Sequence, residues 1–332
     1  MTGGILRITF SSDDLVRIRL TPQADPMWEI VGSLHRIQAR DGGPALAQWR
    51  RKVRDNLSEV ALLSSVRTLL NPLLPRARYF PDFLTPTASG DGLDSGIEAI
   101  LDTPPSRVRT ELEILRRHTG SAAGLDGLAR GDLRSLRHLG RVVAGYHHAA
   151  LADDWPTVES TVQNERAVLT HHLAAGGVEA MFAALPSGMR WRPPVLEVAY
   201  AAGDQELHLR GRGLTLIPSH FCRGTPITLA DPDLPPVLVY PARRPPRRAP
   251  DPADPLTGLL GRTRAHLLRL IAAAPGCTTG QLATRTGVSA STVSEHTTIL
   301  RRSGLIDSVR HTNLVMHRLT HNGELILQKR ID

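Results

Sequence analysis

The chain has 332 residues, 41% of them apolar, with a net charge of +8 and two cysteines. That length and apolar content suit two domains with a core each. No apolar run reaches the roughly 18 residues of a spanning helix, and residues 1–19 lack the pattern of a secretory signal, so no membrane is expected and a cytoplasmic, nucleoid-associated location is. Two cysteines without repeated spacing fit a reducing compartment and exclude a disulfide framework. The positive charge is nearly all Arg, with Lys only at positions 52 and 329. Such a bias raises the isoelectric point by itself, so charge alone is weak grounds for a polyanion partner. From residue 251 onward, however, ten basic residues stand against six acidic ones, which places half of the excess in the last quarter of the chain.

In chain order, residues 5–10 alternate like a strand, and Ser11, Ser12, Asp13 and Asp14 offer caps for a short helix reaching Leu20. Helical periodicity follows over 27–38, 45–56 and 58–70. A loop holding Pro72, Pro75, Pro81 and Pro86 interrupts it, and further helices are expected over 106–118, 133–152 and 156–175. Between 194 and 240 the pattern changes to strands, at 195–201, 207–210, 214–217 and 237–240, and a small antiparallel sheet is expected to close this domain. Arg210-Gly211-Arg212-Gly213 precedes a strand and lacks the later residues of a phosphate loop, so it reads as a hairpin turn. Residues 240–255 carry repeated prolines and four arginines and read as a stiff, extended connector.

The last quarter carries the strongest pattern. A short helix around Gln281 to Thr284 is broken by Gly287, and Ser289 caps a second helix running to about Arg302. At 100° per residue, Val293, Thr297 and Leu300 share one side of that helix. Ser291, Ser294, Glu295, Thr298 and Arg302 point largely the other way, forming a small, hydroxyl-rich face suited to close approach to base edges in a major groove. Two strand-like runs, 305–309 and 314–319, joined by Arg310, His311, Thr312 and Asn313, then form a basic wing.

Leu282-Ala283, Gly287-Val288-Ser289, Ser291 to His296, Leu300 and Ser303 to Ile306 resemble the winged-helix domain of the ArsR family of bacterial transcription regulators, over about residues 258–328. That family usually has a second His where Glu295 stands and Leu where Thr297 stands. Metal sensing, its best-known activity, is not expected, because the first helix of the motif supplies no thiolate and Cys277 reads as a small buried residue. Weaker likenesses at 10–15, 26–29, 211–219 and 240–242 resemble the amino-terminal part of actinobacterial ArsR-like regulators. They imply a two-domain regulator whose larger domain has no widely established ligand.

Other constellations read as structural. His147-His148 and His171-His172 invite a zinc site, but adjacent histidines project about 100° apart on a helix, so surface or interface roles are favoured. Tyr146 and Trp155 read as core before pocket. No nucleophile elbow, dinucleotide fingerprint, Walker loop or His-Glu-x-x-His is present, so no enzyme, cofactor or metal is expected. The expectation is an α+β protein: a mostly helical domain with a small antiparallel sheet over 1–242 serving effector binding or dimerisation, a Pro/Arg-rich linker over 243–256, and a winged helix-turn-helix over 257–332. Its partners are double-stranded DNA, a second copy of itself and a small-molecule effector. Ser291, Thr292, Ser294, Glu295 and Thr298 are expected at base edges, and Ser289, Arg301, Arg302, Arg310, His311 and Arg318 at phosphates. The alternative is a winged-helix protein-interaction or assembly factor without DNA specificity.

Overall fold

The computed structural model describes residues 4–39, 43–76, 79–120, 124–243, 255–311 and 314–328. The chain is an α+β protein with two compact units, Met1–Arg244 and Pro245–Asp332.

The first unit contains strands β1 (Gly4–Thr9), β2 (Arg19–Leu20), β3 (Met189–Arg192), β4 (Val195–Tyr200), β5 (Gln205–His208), β6 (Thr215–Ser219) and β7 (Val237–Pro241). In place of one antiparallel sheet these build two. A mixed sheet has the order β3-β4-β1-β5, with β1 antiparallel to β4 and parallel to β5, and a second sheet, β2-β6-β7, is parallel throughout. The hairpin expected across 207–217 does not form. Arg210, Gly211 and Gly213 all have positive φ (54°, 78° and 73°) and turn the chain out of the mixed sheet into the parallel one. A Cβ at Gly213 would lie 2.3 Å from the carbonyl oxygen of Arg17, and its N–H donates to Asp14 Oδ1 at 3.0 Å. The glycine-rich turn therefore packs on the amino-terminal cap, where Ser11 and Asp14 form a reciprocal capping box on a helix of only four residues, Ser12–Leu15.

Strand β7 is buried on both faces, the near-continuous apolar run of a covered parallel strand. Val237 and Val239 enter the larger of two cores and Leu238 and Tyr240 the smaller; Ile217 and Leu216 of β6 divide in the same way. The larger core joins the helices Pro26–Gln38, Pro44–Glu59, Pro105–Thr119 and Leu133–Leu151. Tyr146 lies within it, its hydroxyl 2.9 Å from Ser33 Oγ, as a core residue. In the smaller core Phe10, Phe182 and Trp191 meet with ring centroids 4.6 to 5.5 Å apart. The helical stretch Trp155–Ala183 serves both cores and is broken at Gly176 and Gly177, where Gly177 has φ 69°.

Buried carboxylates tie this unit together. Glu29, on the first turn of Pro26–Gln38, accepts from Ser219 Oγ (3.1 Å) and from the N–H groups of His220 (2.7 Å) and Phe221 (2.9 Å). Burial still pushes its carboxyl up to about 7. Asp25 caps the same helix and accepts from Ser89 Oγ, and Asp82 accepts from the N–H groups of Ala230 and Asp231; burial pushes each up to about 6. Glu165 is fully buried and accepts two parallel bonds from the Arg243 guanidinium, at 2.9 and 3.0 Å. Of the connector's four arginines, Arg243 is thus held within the first unit; residues 244–254 lie outside the described residues.

Among the described residues the second unit holds the helices Pro255–Leu260, Arg262–Ala273, Thr279–Thr286, Ala290–Arg302 and His321–Gln328, and an antiparallel sheet β8-β10-β9, with β8 Cys277–Thr278, β9 Ile306–His311 and β10 Leu314–Leu319. Its core joins Leu267, Leu268 and Ile271 to Leu282, Val293, Leu300 and Ile306.

Candidate nucleic-acid interface

Two caps set the helix pair. Thr278 and Gln281 form a capping box that opens Thr279–Thr286. Gly287 closes it at φ 70°, a left-handed turn residue whose N–H returns to the Ala283 carbonyl. Ser289 then caps Ala290–Arg302 by accepting the Thr292 N–H at 3.2 Å, and its hydroxyl lies 2.8 Å from both Ser291 Oγ and Thr292 Oγ1. Three hydroxyls are thereby gathered at the helix start.

The inner face buries Val293, Thr297 and Leu300. Thr297 is satisfied there, since its hydroxyl donates to the Val293 carbonyl at 2.9 Å. The outer face exposes Ser291, Ser294, Glu295, Arg301 and Arg302, while Thr292 and Thr298 are half-buried. Ser291, Glu295, Thr298 and Arg302 fall within about 60° of one another around the axis, over roughly 16 Å of its length. Such a strip is the size of a side-chain row laid along a major groove.

The wing does not present all of its cations to one side. Register pairs Asp307 with Arg318, Val309 with Met316 and Arg310 with Val315, so Arg310 and Arg318 stand on opposite faces of the hairpin. Arg318 meets Asp307 at 3.5 Å, whereas Arg302 and Arg310 make no ion pair among the described residues. Ser289, Arg301 and Arg302 share the helix, and Arg310 lies on the wing face that turns inward at its base through His317. The side chain of His311, with Thr312 and Asn313, lies outside the described residues. The outward face instead carries Val309 and Leu314, 50% and 55% exposed.

His317 is a residue the sequence pattern does not single out. It is buried on β10, its Nε2 3.0 Å from Thr279 Oγ1 and its Nδ1 2.8 Å from Ser308 Oγ, so one imidazole joins the start of the first helix to the wing. Burial, and the nearby Arg301, hold its pKa below the ordinary value, which keeps the ring neutral at pH 7. Strand alternation from the half-buried Leu319, paired with the buried Ile306, was the available signal.

Cys277 pairs with His317 across β8 and β10 and is buried; desolvation pushes its thiol up to about 11, so it packs as a neutral group. Among the described residues, no group of three or more His, Cys, Asp or Glu side chains is placed to hold a metal. His147 packs edge-on against Trp155 at 4.9 Å and His171 against His172 at 5.7 Å, and the two pairs are not brought together into such a group. No helix among the described residues is long and apolar enough to cross a membrane.

No curated protein and no solved structure matches the chain. Residues 258–313 match the family model described as MarR family, a match that takes in both helices of the motif and the first wing strand. The second unit therefore carries a MarR-type winged helix-turn-helix, the domain of DNA-binding transcription regulators.

Proposed function

We propose that the chain is a sequence-specific transcription regulator that works in the cytoplasm as a homodimer, ArsR-like in the residues of its second helix, with no enzymatic activity. Two copies set Ala290–Arg302 into successive major grooves about 10 base pairs apart, because one helix reads too few base pairs for specificity. Ser291, Thr292, Ser294, Glu295 and Thr298 read base edges, and Ser289, Arg301, Arg302 and Arg310 hold phosphates, with His311 and Arg318 at the flank. The amino-terminal domain expected over 1–242, which lies within the first unit, dimerises or takes a small effector that shifts the spacing of the two readers.

The observation that carries this reading is the outer face of Ala290–Arg302. Of the helix's large apolar residues Val293 and Leu300 are buried on the inner face and Ile299 is half-buried beside the strip, and what the outer face fully exposes is short, polar or charged. Selection of bound duplexes from genomic fragments tests it. A recovered inverted repeat is the expected result; Arg302→Ala weakens every duplex alike and lowers the salt slope by about 1, while Glu295→Ala changes base preference.

The exposed Val309 and Leu314 favour a second reading, a wing that docks on protein. Binding to random duplex that is insensitive to salt would select that reading, since phosphate contacts make affinity fall steeply with salt.

A further inference from the structure

We infer that the first unit holds a binding site for a small organic dianion, a phosphomonoester or a dicarboxylate, in the cleft between Leu133–Leu151 and the turn at 124–128. The cleft has a volume of about 330 Å³, at the lower end for small-molecule sites. Arg134, His138 and Arg141 line it. On a helix they fall within about 60° of one another, so the three side chains converge on one space.

No acidic residue lines the cleft, and Leu133–Leu151 contains none along its length. Two carboxylates flank the cleft: Asp126, in the 124–128 stretch but not among the lining residues, and Asp132, which is engaged by the helix start, accepting from the Arg134 N–H at 3.1 Å and from Ser135 Oγ at 2.9 Å. His138 and Arg141 have no hydrogen-bond or ion-pair partner among the described residues. Like charges left convergent and unneutralised repel one another, and an anion between them removes that repulsion.

The opposite wall is shaped for close approach. A Cβ at Gly127 would lie 2.2 Å from Ser135 Oγ, so the turn packs closely on Leu133–Leu151 and a larger residue there would make that hydroxyl move, and Gly124 has φ 84°. Two guanidinium forks and an imidazole match the paired oxygens of a phosphate or of two carboxylates. The volume is that of a small molecule, in a cleft open to solvent along the exposed Arg134, His138 and Arg141. The inference gives a chemistry to the effector proposed above, yet binding is measured without DNA and stands or falls separately.

Calorimetric titration of the full chain with inorganic phosphate and with malonate, each against sodium chloride of equal ionic strength, tests the site. Saturable binding of at least one anion is expected, with phosphate alone indicating the phosphomonoester and malonate the dicarboxylate. Arg141→Glu and Arg134→Glu should each weaken it at least tenfold. Arg137→Glu, on the same helix but outside the cleft, should leave it unchanged. Arg141→Gln replaces Arg141→Glu if tryptophan fluorescence shows the latter misfolded. No saturable binding, an equal loss in Arg137→Glu, or undiminished binding in folded Arg134→Glu and Arg141→Glu would each overturn the inference.

Discussion

The two units treat charge in opposite ways. The first buries Asp14, Asp25, Glu29, Asp82, Glu111 and Glu165, whereas the described residues of the second bury no carboxylate and, beside a core of aliphatic side chains and Cys277, only Thr297 and His317 as polar groups. In the first unit carboxylates act as staples: Glu29 fastens 219–221, Asp82 fastens 230–231 and Glu111 receives the Phe83 N–H at 2.8 Å. Loops that contain no regular ladder thereby satisfy backbone donors that burial would otherwise strand. The second unit satisfies its backbone through caps and a short sheet, and leaves its charged side chains at the surface, where an anionic partner can meet them.

This contrast is sharpest for substitutions inside each unit. Leu300→Ala opens a cavity in the second core and should destabilise that unit by roughly 2–5 kcal/mol. All four tryptophans, Trp28, Trp49, Trp155 and Trp191, belong to the first unit, so their fluorescence melt should not move while the calorimetric transition of the second unit does. Glu29→Ala should do the reverse, leaving three donors unmatched at roughly 1–3 kcal/mol each before water enters. A shift of the fluorescence melt of less than about 1 kcal/mol would show that the staple is dispensable.

A pH series gives the next largest effect. Asp25, Glu29 and Asp82 bind protons more tightly folded than unfolded, so their contribution is complete at about pH 4 and declines as pH rises through 6 and 7. Denaturation followed by tryptophan should therefore weaken over that window, and Glu29→Gln, though less stable at every pH, should show a flatter decline. In the second unit His317 runs the other way: its folded pKa is depressed, so its stabilising contribution is present above pH 6.5 and fades on acidification. Equal slopes in both units would erase the comparison. The smallest effect is at the surface, where Ser289→Ala removes a cap worth roughly 1 kcal/mol and should weaken duplex binding through fraying of the helix start, read as a lower melting temperature of the second unit.

The sequence was most transparent where structure is local. Gly287, Ser289 and the spacing of Val293, Thr297 and Leu300 define the second helix within a dozen residues, and the wing follows from alternation on either side of Arg310. It was opaque where partners are distant. Residues 4–9 look like a strand, but nothing nearby says that Thr9 faces Val195 or that β5 runs parallel to β1. Glu29 reads as an acid favourable to a helix amino terminus, and its loop partners lie about 190 positions away. Leu93–Leu101, Arg262–Ala273 and His321–Gln328 are helices the pattern leaves unassigned, though Leu267, Leu268 and Ile271 do mark one apolar face. At the candidate interface the hydroxyl strip was legible, whereas the separation of Arg310 from Arg318 needed the pairing register.

Strands β6 and β7 belong to two interiors at once, and this shared wall has a kinetic consequence. Neither interior can open without stripping the other of Leu216 and Leu238 or of Ile217 and Val239. Amide protons of residues 216–217 and 237–240 should accordingly exchange with solvent only through whole-unit unfolding, making this inner ribbon the slowest-exchanging part of the first unit.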